Sequence, residues 1–186
     1  MAIAAAFDLE IQQYDAVNAF PNVVLPTPLA CYCAEGYERP GYLLWILKAL
    51  YGLKTSPLLW YKNFTCSLEN LGLHSVPDCN CLYVNDWMIL MFYVDDILIL
   101  YASKHQSKID QFKQEFFNKY KMRKIKNTDH FLKVRIIQDR AQWKLWLVQN
   151  SYINKLAGKF NITANKVPKI LLLLAELIPY KETTTP

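Results

Sequence analysis

At 186 residues, 53% of them hydrophobic and 14% aromatic, the chain suits one packed domain or one lobe of a larger enzyme and excludes an intrinsically disordered protein. Its formal charge of +5 is uneven, because residues 104–144 hold twelve Lys/Arg against four Asp/Glu. Such a block suits a polyanionic partner, whose condensed counterions are released on binding, or simply a solvated helix face.

In chain order, residues 2–14 predict a short helix leading into a strand around Tyr14 to Phe20. Pro21, Pro26, Pro28, Gly36, Pro40 and Gly41 then punctuate an irregular stretch of loop and short extended pieces. Ser56-Pro57 predicts a helix start, with Ser as N-cap and Pro at the first helical position. Tyr61, Phe64, Leu68 and Leu71 form its apolar stripe before Gly72. Two extended segments, Leu82 to Val84 and Trp87 to Tyr93, flank an Asn85-Asp86 turn. After the apolar run Ile97 to Tyr101, a second helix is expected from Ser107 to Tyr120, burying Ile109, Phe112, Phe116 and Tyr120. Leu132, Val134 and Ile136 alternate with Lys133 and Arg135 as a half-buried strand, followed by Trp143 to Val148. Ser151 is the expected cap of a third helix, and Lys181 to Pro186 an unstructured tail. The order predicts an α+β fold, an antiparallel sheet with helices gathered on one face. In domain terms, residues 1–178 form the folded part and 179–186 a disordered tail.

The five cysteines pair as Cys31/Cys33 and Cys79/Cys81, with Cys66 alone. Cys-x-Cys is tighter than the usual zinc-ligand spacing, so buried free thiols in a reducing compartment are expected instead. No membrane segment is expected. Met1 to Phe7 has no basic flank and runs into Asp8 and Glu10, and the apolar run from Ile170 to Ala175 falls far short of the roughly 20 residues a span needs.

The chemistry concentrates at Asp95-Asp96, set between the apolar runs Trp87 to Phe92 and Ile97 to Leu100. Strands this apolar are buried on both faces, and two adjacent carboxylates at their junction repel one another. Asp-Asp is also not the Asn-Gly or Asp-Gly pair that a tight hairpin selects. A solvent-facing polar turn is one explanation; a divalent cation held by hard carboxylate oxygens is the other. Asp15, near the start of a separate strand, could supply the third ligand that two-metal phosphoryl chemistry needs. Phe20, five residues on, has the size to stack under a sugar ring.

Three segments carry a family resemblance: Gln13 to Phe20; Ala49-Leu50-Tyr51-Gly52-Leu53-Lys54-Thr55-Ser56-Pro57 with Trp60-Tyr61; and Phe92 to Leu98 with its Tyr93-Val94-Asp95-Asp96 hairpin. Phe131-Leu132 and Gln149 to Ile153 add a weaker match. Along nearly its whole length the chain resembles the reverse transcriptase of copia-type retrotransposons. The resemblance implies a polymerase palm with part of the fingers, and RNA-directed DNA synthesis by two-metal nucleotidyl transfer. It implies Asp15, Asp95 and Asp96 as catalytic metal ligands for two Mg²⁺ ions, with Mn²⁺ as the substitute. Phe20 is implied beneath the nucleotide sugar, and Tyr51, Gly52 and Lys54 at the incoming nucleotide. The implied partners are an RNA template, a DNA primer, deoxynucleoside triphosphates, and integrase and ribonuclease H domains of a polyprotein. The implied setting is cytoplasmic, with virus-like particles or the nucleus as further family compartments, and not secreted.

Departures from the family pattern qualify this. Where relatives carry Phe-Leu-Gly, this chain has Phe131-Leu132-Lys133, which places a side chain where Gly permits positive φ. Leu25-Pro26-Thr27-Pro28 should weaken strand pairing. The family's N-terminal fingers segment, thumb-like continuation and ribonuclease H domain are expected to be missing. The alternative is therefore a non-catalytic nucleic-acid-binding or structural remnant of a degraded element.

Overall fold

The computed structural model describes residues 1–125 and 130–162 and divides the chain into two units, Met1–Val148 and Gln149–Pro186. In the first unit the elements are helix α1 (Ala2–Ala6), strands β1 (Glu10–Ala16), β2 (Val24–Cys31) and β3 (Leu44–Lys48), helix α2 (Ser56–Asn70), strands β4 (His74–Val76), β5 (Cys79–Val84), β6 (Met88–Tyr93) and β7 (Asp96–Tyr101), helix α3 (Gln106–Lys119), and strands β8 (Met122–Ile125), β9 (His130–Phe131), β10 (Val134–Asp139) and β11 (Lys144–Val148). The described part of the second unit holds helix α4 (Asn150–Lys159).

Six strands form the main sheet in the order β4-β5-β6-β7-β1-β8, with β11-β10-β9 and β2-β3 as smaller sheets; every pairing is antiparallel. The fold is α+β. Alternation on β7 explains how the sheet is covered. Ile97, Ile99 and Tyr101 enter a core with Trp60, Phe64 and Leu68 of α2 and Ile109, Phe112 and Phe116 of α3. Leu98 and Leu100, pointing the other way, pack with Ala4, Leu9, Phe131 and Ile136. Strand β7 is thus buried on both faces, as its unbroken apolar run requires. Both long helices lie on one face, and the other carries α1 and the β9–β10 hairpin.

Several boundaries move. The first strand is Glu10–Ala16 rather than Tyr14 to Phe20, because Asn18 takes a φ of +53° and turns the chain into a 3-10 turn at Phe20–Asn22. The proline-rich stretch does pair: Val24 lies opposite Lys48, but the next partner is Leu29 opposite Ile46. The register breaks over the segment containing Pro26 and Pro28, which have no N–H to give to a ladder. Helix α2 begins with Ser56 inside it and Thr55 at the N-cap. The fully buried Ser56 hydroxyl instead donates to the Leu50 carbonyl at 2.7 Å. Ser151 likewise lies inside α4, behind Gln149. Leu132 is not a strand residue: Leu132 and Lys133, with φ of +50° and +66°, are the two-residue turn between Phe131 and Val134. Lys133 does occupy a conformation suited to Gly.

The cysteines are all free and none is buried; Cys66, Cys79 and Cys81 are exposed, against the expectation of buried thiols. Cys79 and Cys81, two residues apart on β5, share one face of an exposed part of that strand. Among the described residues no helix is long and apolar enough to cross a membrane. The runs at 170–175 and 181–186 lie outside the described residues.

Candidate active site

The sheet places the three aspartates in one neighbourhood. Strands β6 and β7 are joined by a two-residue turn, Val94-Asp95, closed by the pair Tyr93 and Asp96. On the next strand, Asp15 is the direct cross-strand partner of Asp96. Directly opposed side chains stand on the same face, here the face opposite α2 and α3. The turn is fastened to β1 as well, for the Ala16 N–H donates to the Asp95 carbonyl at 2.8 Å.

Opposed carboxylates cost free energy, and Asp96 registers it. Burial, then Asp95, then Asp15 raise its pKa above the usual Asp value, while a hydrogen bond from Gln13 opposes the rise. Gln13 is buried two residues before Asp15, on the same face of β1. Its Oε1 is the one buried side-chain oxygen among the described residues with no hydrogen-bond partner.

Asp15 is balanced from its other side. Strand β8 sets Arg123 directly opposite it, and a guanidinium nitrogen lies 2.9 Å from Asp15 Oδ2. Asp15 therefore stands between a like charge on β7 and an opposite charge on β8. No three His, Cys, Asp or Glu side chains among the described residues form a ready metal-binding cluster. The donor set still fits a hard divalent cation, since its oxygens are carboxylates whose mutual repulsion a cation would relieve.

The Leu50–Ser56 loop supplies the second half of the site. Tyr51 is exposed and packs at a tilt of 46° against buried Phe20, with ring centroids 4.5 Å apart. Burial first, then the charges of Asp95 and Asp15, raise the Tyr51 pKa, so its hydroxyl shares their electrostatic neighbourhood. Phe20 thus lies beneath Tyr51, and Tyr51 is the aromatic surface open to a ligand. Gly52 has φ +94° and open space where a Cβ would stand. It is needed for its backbone conformation and not for close approach. Lys54 is exposed on the same loop and makes no ion pair among the described residues.

The turn itself is unusual. Val94 has φ +56°, a left-handed conformation that costs an L-residue about 1–2 kcal/mol and is most adverse for a β-branched one. Its carbonyl accepts a 2.7 Å hydrogen bond from the Trp60 indole N–H of α2. Trp60, Arg123 and the orphaned Gln13 oxygen are site features that the sequence did not single out. Trp60 and Gln13 lie within family-like segments, but nothing in Met122-Arg123-Lys124 says which carboxylate it will face.

Residues 1–173 match the family model described as reverse transcriptase (RNA-dependent DNA polymerase). The chain belongs to the copia-type reverse transcriptase family. It is 30% identical over 170 residues to a retrovirus-related Pol polyprotein from transposon TNT 1-94 of Nicotiana tabacum, covering 87% of this chain and 13% of the relative. A transposon Ty5-1 protein of Saccharomyces cerevisiae is 28% identical over 179 residues, covering 92% and 56%. A Pol polyprotein from transposon RE1 of Arabidopsis thaliana is 27% identical over 175 residues, covering 90% and 12%. The chain thus spans about an eighth of the two plant polyproteins and just over half of the yeast protein.

Not every prominent feature belongs to this site. An open cavity of about 730 Å³, lined by Tyr14, Asp110, Lys113, Phe117, Met122 and Lys124, lies on the helix side of the sheet, away from the opposed carboxylates. Part of the basic block is already paired. Lys113 pairs with Asp110, Arg123 with Asp15, and Arg140 with Asp8 and Glu10.

Proposed function

We propose that this chain is the palm, with part of the fingers, of an RNA-directed DNA polymerase from a copia-type retrotransposon polyprotein. The observation that carries the reading is Asp15 standing opposite Asp96 on adjacent strands, beside Asp95 in a hairpin turn. Asp15, Asp95 and Asp96 would hold two Mg²⁺, or Mn²⁺ in their place. When bound, such ions acidify a primer 3′-hydroxyl and neutralise charge on the α-phosphate and the leaving pyrophosphate. Arg123 engages Asp15 Oδ2, so a cation drawing on that oxygen would compete with the guanidinium. Tyr51, backed by Phe20, presents a flat surface for the sugar or base of a nucleotide. Gly52 shapes the loop, and Lys54 adds a positive charge for a phosphate or template. Template RNA, primer DNA and deoxynucleoside triphosphates are the substrates; integrase and ribonuclease H domains are the neighbours in a polyprotein. The setting is cytoplasmic.

The test is primer extension on an RNA template with Mg²⁺. Asp95→Asn and Asp15→Asn should each abolish incorporation, and unchanged rates would sink the assignment. One observation favours a second reading, a non-catalytic nucleic-acid-binding remnant: Asp15 is already engaged in an ion pair with Arg123. That reading expects salt-sensitive RNA binding in a filter assay and no incorporation with either metal.

A further inference from the structure

The Val94-Asp95 turn is not explained by its own residues. Two-residue hairpins place positive φ at Gly, Asn or Asp, and a turn with positive φ at its first central position alone calls for Gly there. This one has Val94 in that position at φ +56°. A conformation its own residue disfavours persists only where the surroundings hold it. Two hydrogen bonds from outside the hairpin do so: the Ala16 N–H to the Asp95 carbonyl, and the Trp60 indole N–H to the Val94 carbonyl.

We propose that Trp60 is a positioning residue for the carboxylate hairpin: its indole N–H, 2.7 Å from the Val94 carbonyl, holds the strained turn and so sets where Asp95 points. Trp60 suits that task because it cannot move freely. It is 1% exposed, and its ring lies 5.0 Å from Phe64 and 5.4 Å from Tyr120. Helix α2, which carries it, is clamped at its start by Ser56 on Leu50, next to Tyr51. One helix therefore registers both halves of the site, the Tyr51 loop through Ser56 and the hairpin through Trp60. The consequence for metal binding rests on reading Asp15, Asp95 and Asp96 as metal ligands; the consequence for the turn does not.

The experiment compares the full chain with Trp60→Phe, Val94→Gly and the double variant. Phe keeps an aromatic ring and lacks the donor, whereas Gly accepts the turn without strain. Amide hydrogen exchange reports the turn, and Mn²⁺ titration followed by electron paramagnetic resonance reports the carboxylates. Trp60→Phe should speed exchange of the Ala16 amide about tenfold or more, leave the β5–β6 amides unchanged, and weaken Mn²⁺ binding about tenfold. Adding Val94→Gly should restore both. Should Trp60→Phe fail to fold, the benzothienyl isostere of tryptophan, with sulfur in place of N–H at nearly unchanged volume, must give the same pattern. Uniformly faster exchange without rescue by Val94→Gly would overturn the inference and leave Trp60 a core residue only. If Ala16 exchange responds as stated but the unsubstituted chain binds no Mn²⁺, the metal reading fails while the positioning role stands.

Discussion

Asp96→Asn should make the metal-free protein more stable while removing its response to metal. Asp96 faces Asp15 directly across β1 and β7, and like charges so placed cost roughly 0.2–1 kcal/mol. Its pKa is raised by burial, then by Asp95 and Asp15. A raised pKa means the folded chain binds that proton more tightly than the unfolded chain. Ionised Asp96 therefore costs stability at neutral pH, and the cost fades as pH falls through its raised folded pKa toward the unfolded value. Asparagine removes the charge at nearly constant shape and brings an N–H₂ close to Gln13, whose Oε1 has no partner. The expected gain is about 0.5–1 kcal/mol, or roughly 1–4 °C in Tm for a chain of this size. Thermal melts followed by circular dichroism, in a chelator at neutral pH, would show it. Near the carboxylate pKa the two proteins should converge. Millimolar Mg²⁺ should then raise Tm of the unsubstituted chain and leave Asp96→Asn unmoved, because only a ligand bound to the folded state shifts the melt. A lower Tm for Asp96→Asn in chelator would refute the claim that carboxylate repulsion is stored there.

Two further substitutions probe neighbouring features. Lys133→Gly should stabilise the β9–β10 hairpin by about 0.5–1 kcal/mol, because the positive-φ strain removed outweighs the extra freedom Gly has when unfolded; urea unfolding measures it, and an unchanged midpoint would remove strain as the explanation. Arg123→Met should change stability by no more than about 1 kcal/mol, since the pair is largely solvated on the Arg side. It should nevertheless tighten Mn²⁺ binding several-fold by freeing Asp15, and weaker binding in a titration would show that Arg123 does not compete with the cation.

Features set by local spacing are legible in the amino-acid order itself. The Tyr61, Phe64 and Leu68 stripe predicts α2, and the Ile109, Phe112 and Phe116 stripe predicts α3, within one or two residues. The double apolar run predicts strands buried on both faces. Asn85-Asp86 marks a turn, where the Asn85 side chain accepts from the Trp87 and Met88 amides. Strand pairings across distance are not legible in the same way. The partner of the Pro26/Pro28 segment lies beyond twelve intervening residues, and β4 is three residues long, too short to show a period. The cysteines are of a type expected to be buried, but Cys66 falls on the exposed face of α2 and Cys79 and Cys81 on an exposed part of β5.

By itself the sequence determined which groups exist for chemistry: Asp15, the Asp95-Asp96 pair, and a Tyr51-Gly52-Leu53-Lys54 loop ahead of Ser56-Pro57. Residue type and short spacing suffice for that, since charge, turn preference and helix period are local properties. Only the tertiary structure decided what each group faces. Cross-strand register put Asp96 on one side of Asp15 and Arg123 on the other, and a one-residue slip would have sent the carboxylates to opposite faces. Helix packing brought the Trp60 indole to a carbonyl 34 residues away. The balance of repulsion, ion pairing and held strain at this site belongs to the fold, because it depends on distances between segments that the chain brings together only when it closes.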